Sequence, residues 1–217
     1  MRVYLCEMER DAVNEKFFEL SEEKRDAILS AGYRVFSKNS YRKSPMQEIA
    51  DEAGISKSLL FHYFENKKEF YLYLWEYACQ YSIEHMTEAG CYEETDFFKM
   101  LHRGMVTKMQ ILRKKPYMAS FILKAYFEND PEVHDEIRAS YQYYFSLKGE
   151  LSLRNISKEQ FVFGVDVKEI FRHIYWAAEG YLMENLRGGN LEAEKLERDF
   201  SGMIGFWKRI YGKRMDV

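Results

Sequence analysis

Residues 44–67, SPMQEIADEAGISKSLLFHYFENK, read as two short helices joined by a tight glycine turn, with a third helix starting behind them. Ser44, Pro45 and Gln47 make a helix start: a capping side chain, proline at the first helical position, and Gln three residues on to close a capping box. Ile49, Ala50 and Ala53 then form one narrow apolar face suited to close helix contact. Gly54 stops this helix where a left-handed backbone is expected, a conformation that glycine enters without steric cost. Ser56 caps the next helix, and Ile55 and Leu60 have the spacing of a hydrophobic staple that sets its entry angle. Helix, glycine turn and short second helix make a helix-turn-helix, whose second helix is expected to lie in the DNA major groove.

The flanks narrow this further. The run IADEAGISKSLLFHYFENKKEF resembles the DNA-binding domain of tetracycline-repressor-like (TetR family) regulators. Their pattern is an Ile-Ala pair, Ala-Gly-Val/Ile-Ser, a Leu-Tyr dipeptide, an aromatic pair ending in Phe, and Lys opening the next helix. The resemblance covers about fifty residues, from Ser21 to about Phe70. It implies that Lys57, Ser58, Leu59, Phe61, His62 and Tyr63 face the groove or its walls. It also implies that Lys67, with the first amides of its helix, neutralises a phosphate, and that Ser44 donates to another. Two positions depart from the pattern. Leu59 stands where the family often has a small polar residue, and Phe61 where it usually has Tyr, which removes a possible phosphate contact. Leu59 instead suits a thymine methyl.

Composition agrees with a folded, helical chain. Of 217 residues 47% are hydrophobic and 31% charged, outside the range of disordered sequences. Only 3 prolines and 12 glycines leave room for long helices. No apolar run reaches membrane-spanning length, and MRVYLCEMERD is too short and too acidic for a secretory signal, so the expected location is the cytoplasm. Cys6, Cys79 and Cys91 have no metal-type spacing and read as reduced packing residues. Glu169 and His173 share a helix face at i, i+4 but lack further ligands, so no metal or cofactor is expected. The net charge of −3 argues against nucleic acid only until it is divided: residues 21–68 hold nine Lys/Arg against seven Asp/Glu, a local +2.

In chain order, residues 1–20 read as an N-terminal extension, with Met8 a second candidate start and Phe17, Phe18 and Leu20 available to pack on the first helix. Residues 21–68 form the helix-turn-helix domain, opened by the amphipathic SEEKRDAILSAGYRVFSKNS with Ile28, Ala31, Val35 and Phe36 on one face. The resemblance implies that residues 69–217 form a helical effector-binding and dimerisation domain. Asn66 and Glu69 cap a long helix to about Thr87; further helices run over about 96–114, 116–127, from Asp130–Pro131, from Asp166 to Gly188–Gly189, and from about Leu191 to Tyr211. The fold class is therefore all-α, with about nine helices.

The chain carries 17 Tyr, 16 Phe and 3 Trp. Most fill a helical core, but Tyr117, Phe121, Tyr126, Tyr141, Tyr144 and Trp176 are candidates to line a pocket for a small, largely apolar or aromatic effector. Ile170, Ile174, Ala177, Ala178 and Tyr181 recur at helical spacing, and Gly202, Gly205 and Phe206 mark the last helix, so these two helices are the expected homodimer interface. The alternative is that both faces close the monomer's own core. Similarity to the family implies a homodimeric repressor on a near-palindromic double-stranded operator, released by its effector. An enzyme reading finds no paired Glu-x-x-His, phosphate loop or nucleophile elbow. A third reading is a ligand- or protein-binding helical dimer with a weakened DNA reader.

Overall fold

A computed structural model describes residues 13–189 and 191–213, which places Cys6 and Met8 outside the described residues. Among the described residues ten α-helices follow one another: α1 Glu15–Phe18, α2 Glu22–Lys38, α3 Met46–Glu52, α4 Lys57–Tyr63, α5 Lys67–Glu88, α6 Phe97–Lys114, α7 Pro116–Tyr126, α8 His134–Leu153, α9 Val167–Arg187 and α10 Ala193–Tyr211. A 3-10 turn at Lys158–Gln160 precedes α9. The described residues contain no strand, only isolated bridges pairing Val13 with Phe64 and Phe161 with Gly212.

Local chemistry explains most of the boundaries. Gly54 has φ +68° and turns α3 into α4, and the Ser56 hydroxyl accepts from the Leu59 amide at 3.1 Å. Asn66 Oδ1 accepts from the Glu69 amide at 2.9 Å, and Asp166 Oδ1 from the amides of Lys168 and Glu169. Two expected starts differ. Pro45, with extended backbone, occupies the cap position of α3, so Ser44 falls one residue too early; its hydroxyl donates to the Ser40 carbonyl at 2.9 Å. Gln47 accordingly closes no capping box and donates to Asp51 Oδ1 at 2.7 Å. α8 starts at His134 rather than at Asp130–Pro131, because the Asp130 side chain accepts from the Glu132 amide and holds 130–133 as a turn.

The chain divides into two compact units, residues 1–78 with 120–141, and residues 79–119 with 142–217. This division differs from a boundary at residue 68: the first unit also takes the start of α5, most of α7 and the first part of α8. Its core holds Ile28, Val35, Phe36, Ile49, Leu60, Phe64, Phe70, Leu74 and Phe121, all essentially inaccessible. Here α2 and α5 approach so closely that a Cβ on Gly32 would lie 2.7 Å from both Leu74 and Phe70. Residues 13–20, the described part of the extension, belong to this unit. Phe17 is fully buried, with its ring 4.9 Å from Phe64, 5.8 Å from Tyr63 and 5.6 Å from Tyr73. Phe18 and Leu20 meet α2 through their carbonyls, which accept from Arg25.

In the second unit α6 packs against α10, and Phe97, Phe98, Met100, Met105, Met109 and Leu112 meet Val167, Ile170, Phe171, Ile174, Leu196, Phe200 and Ile204 in one core. Its ends are tied by Gln160, whose side chain accepts from the Phe97 amide at 2.9 Å and whose carbonyl accepts from the Lys213 amide at 2.8 Å.

Candidate nucleic-acid interface

Helix α4 has two unlike sides because its apolar residues fall one turn apart. Leu60, Tyr63 and the following Phe64 are buried and anchor the helix, whereas Lys57, Ser58, Leu59, Phe61 and His62 are exposed. Leu59 and Phe61 each retain 36% of their surface. Lys57 Nζ lies 5.7 Å from the Phe61 ring centroid, which keeps a cation on the exposed side.

Tyr63 therefore differs from the other residues expected at the groove. It is 7% exposed, and its ring packs on Phe17. The Asn14 amide donates to its carbonyl at 2.9 Å, so the segment before α1 fastens the end of α4. No motif in 1–20 marks this contact. Phe17 was the available signal, but its partners lie some fifty residues away in the chain. Ser44 is wholly buried and its hydroxyl is spent on Ser40.

Lys67 opens α5 beside this surface. Its ammonium donates to the Arg42 carbonyl at 3.3 Å and lies 4.7 Å from the Tyr41 ring centroid. Burial is the strongest influence on it and pulls its pKa below the ordinary lysine value, against the opposing pull of Glu132, Asp130 and Glu128. Those acids belong to the connection between α7 and α8 and hold the end of the α2–α3 connection. Glu128 accepts from the Tyr41 amide at 2.7 Å, Glu132 from the Tyr41 hydroxyl at 2.7 Å, and Asp130 pairs with Arg42 at 3.0 Å. Lys68 pairs with Glu136. Burial, then Glu132, pushes the Tyr41 phenol well above its ordinary range.

The residues expected around an effector fall in both units. Phe121, Tyr126 and Tyr141 belong to the first. Phe121 is fully buried against Tyr33 and Tyr71, while the Tyr126 and Tyr141 rings meet at 4.3 Å, tilted by 41°. Tyr117, Tyr144 and Trp176 belong to the second; Tyr144 is buried, whereas Tyr117 and Trp176 are exposed. Of the residues expected at a dimer interface, Ile170 and Ile174 lie in the second core, and Ala178 and Tyr181 pack against it. Ala177, Gly202 and Phe206 are exposed, and Gly205 is half-buried.

Sequence periodicity gives no sign of a polar cluster in the second unit. Lys108 Nζ donates to the Tyr175 hydroxyl at 3.1 Å and lies 4.6 Å from that ring's centroid. Cys91 and Cys79 are buried and unbridged. Among the described residues no group of three or more His, Cys, Asp or Glu is arranged to hold a metal ion, and no helix is long and apolar enough to cross a membrane.

Against this geometry, the family model of bacterial regulatory proteins of the tetR family matches residues 28–74, the span from within α2 into α5. Over 51 residues the chain is 43% identical to the HTH-type transcriptional activator FasR of Mycolicibacterium smegmatis, an alignment taking in 24% of this chain and 23% of that protein. A TetR family transcriptional regulator from Chloroflexus aurantiacus has a similar solved structure, with TM-score 0.60 and 24% identity over 93% of this chain and 99% of that one. A transcriptional regulator from Saccharomonospora viridis, solved in complex with choline, is 15% identical with TM-score 0.66 over 89% and 100% of the two chains. At these identities the structural likeness speaks for the fold.

Proposed function

We propose that the chain, whose residues 28–74 match the tetR family model, is a member of that family and a homodimeric, ligand-responsive transcriptional repressor rather than an enzyme. The observation that carries this is α4: a seven-residue helix anchored by Leu60 and Tyr63, with Lys57, Ser58, Leu59, Phe61 and His62 left outward. Lys57, Ser58 and His62 supply donors to phosphates and base edges, and Leu59 and Phe61 supply apolar contact to thymine methyls. One such helix reads too few base pairs for specificity, so two copies on a near-palindromic site are required.

The exposed Trp176, Ala177 and Gly180 of α9 and Gly202, Phe206 and Ile210 of α10 are the surface proposed to join the copies. An added Cβ on Gly180 or Gly202 would meet nothing within 4 Å, which leaves room for a partner's helix. α5, α7 and α8 each continue from one unit into the other, and an effector that prefers one spacing of the two readers lowers operator affinity by its differential binding. The S. viridis regulator's choline complex supports a small molecule as that effector. FasR is named an activator; for a protein of this design the sign of regulation follows from where the operator lies relative to the promoter.

Selection of bound sequences from a random DNA pool tests the reading. Enrichment of a two-fold-related site, with affinity falling steeply with salt, is the expected result. A pool that does not enrich overturns it and favours a helical dimer with a weakened reader, for which the apolar Leu59 and Phe61 are the supporting observation.

A further inference from the structure

The second unit gathers more hydrogen-bond donors at one place than it provides acceptors. Lys108 on α6 has three N–H bonds, and among the described residues the Tyr175 hydroxyl is the acceptor that reaches it. Having accepted that bond, Tyr175 still has its own O–H to place. The Tyr92 hydroxyl, within electrostatic reach of Tyr175, is inaccessible and has no hydrogen-bond partner. A buried donor without an acceptor is costly enough that folds rarely keep one without use.

The charges acting on Tyr175 do not balance. Lys108 and Lys148 act on Tyr175 against Glu179, two ammonium groups to one carboxylate. Burial alone would push the Tyr175 phenol up and the Lys108 ammonium down. The two lysines nevertheless bring Tyr175 below its ordinary value, and Tyr175 and Glu179 hold Lys108 above its own. Burial is thus the largest influence on both groups, yet each residue keeps some accessible surface. The walls are aromatic: the rings of Phe145 and Phe171 lie 5.3 and 5.4 Å from Tyr175.

We propose that this cluster is the head-group end of the effector site, and that the effector is a monoanionic carboxylate carried on an apolar body. The carboxylate takes the free N–H bonds of Lys108 and the O–H bonds of Tyr175 and Tyr92, and the body lies along Phe145 and Phe171. A single negative charge matches the excess of one ammonium; a dianion would exceed it, and a quaternary ammonium such as choline would be repelled. The proposal rests on the ligand-responsive reading above and sharpens it from an apolar effector to an acidic one.

The test is calorimetric titration of the full chain, without DNA, with benzoate, octanoate and dodecanoate, each beside its uncharged alcohol, and with choline. At least one acid is expected to bind tenfold or more tightly than its alcohol, with choline silent. Lys108→Met is expected to abolish that preference while leaving the alcohol's affinity in place, and to melt above the wild type without ligand. Should Lys108→Met fail to fold, Lys108→Gln, which keeps donors and removes the charge, is expected to lose the same preference. The proposal is overturned if no acid exceeds its alcohol, if choline binds as well as the acids, or if neither Lys108 variant changes the preference. Because no DNA is present, failure to find an operator leaves this result standing, and an operator released only by uncharged compounds overturns the acidic effector alone.

Discussion

His62 and Tyr63 are adjacent in the chain and opposite in consequence. His62 is exposed on the outward side of α4, so His62→Ala should weaken operator binding by roughly 1 kcal/mol while the melting temperature stays within a degree or two of wild type. Tyr63 is buried on Phe17, so Tyr63→Ala should cost about 3 kcal/mol or more of folding stability, as for other large-to-small core changes, read by denaturant melting. Gly32 gives a second residue-scale expectation. In Gly32→Ala the new methyl would meet Leu74 and Phe70 at 2.7 Å, and both are fully buried. Overpacking of about 1–3 kcal/mol should outweigh the better helix propensity of alanine, about 1 kcal/mol, and lower the melting temperature. What was legible at this scale were rules confined to a few residues: the left-handed Gly54 and the caps at Ser56 and Asn66. Ser44 is not the cap because proline takes that position, and the burial of Tyr63 is not legible locally because its cause, Phe17, lies 46 positions away.

Between elements, the connection from α7 to α8 carries Glu128, Asp130 and Glu132, and they engage Tyr41, Arg42 and the surroundings of Lys67. On the proposed reading these carboxylates compete with a DNA phosphate for Arg42, which Asp130 pairs, and for Lys67, which they influence at longer range. Asp130→Asn with Glu132→Gln should therefore raise affinity for any DNA sequence. It should also steepen the salt dependence by about one counterion per subunit for each cation released, measured as the slope of log affinity against log salt. The same change removes a charge-assisted bond to Tyr41, and stability should fall by about 1.5–3 kcal/mol. Unchanged slopes would show that Arg42 and Lys67 never meet phosphate. Nothing in the sequence pairs Tyr41 with residue 132, since a contact across 91 positions leaves no periodic trace. The acids there read instead as the first turn of a helix.

For the whole molecule, helical periodicity told which positions share a face but not which way that face turns. Ile170 and Ile174 recur with Ala177 and Tyr181, yet the first two turn into the core of the second unit while Ala177 stays outside. Among the aromatics the same limit applied: Phe121 closes a core and Trp176 is 54% exposed. The polar cluster of Lys108 and Tyr175 was illegible because its members come from helices far apart in the chain and neither residue lies in a motif. The outward remainder carries the assembly expectation. Phe206, 51% exposed, becomes the preferred probe, because Ala178 packs on the monomer core and a charge there would damage the fold. Phe206→Glu should give folded monomers in sedimentation at micromolar concentration, with operator affinity lowered at least tenfold. A wild-type protein that sediments as a monomer would remove the dimer.

The bridge from Val13 to Phe64 and the burial of Phe17 bear on how the protein can be cut and tagged. A series of N-terminal deletions should show a cliff rather than a slope. A chain starting at residue 12 retains Val13 and Phe17, and with them the cover of Phe64 and Tyr63. One starting at Ser21, where the helix-turn-helix domain was expected to begin, would leave Phe64 and Tyr63 without their cover. That shortened protein should be less soluble and should bind an apolar dye such as ANS. An affinity tag belongs ahead of residue 12, and a minimal DNA reader made for a synthetic fusion has to carry eight residues that no alignment of the motif would include.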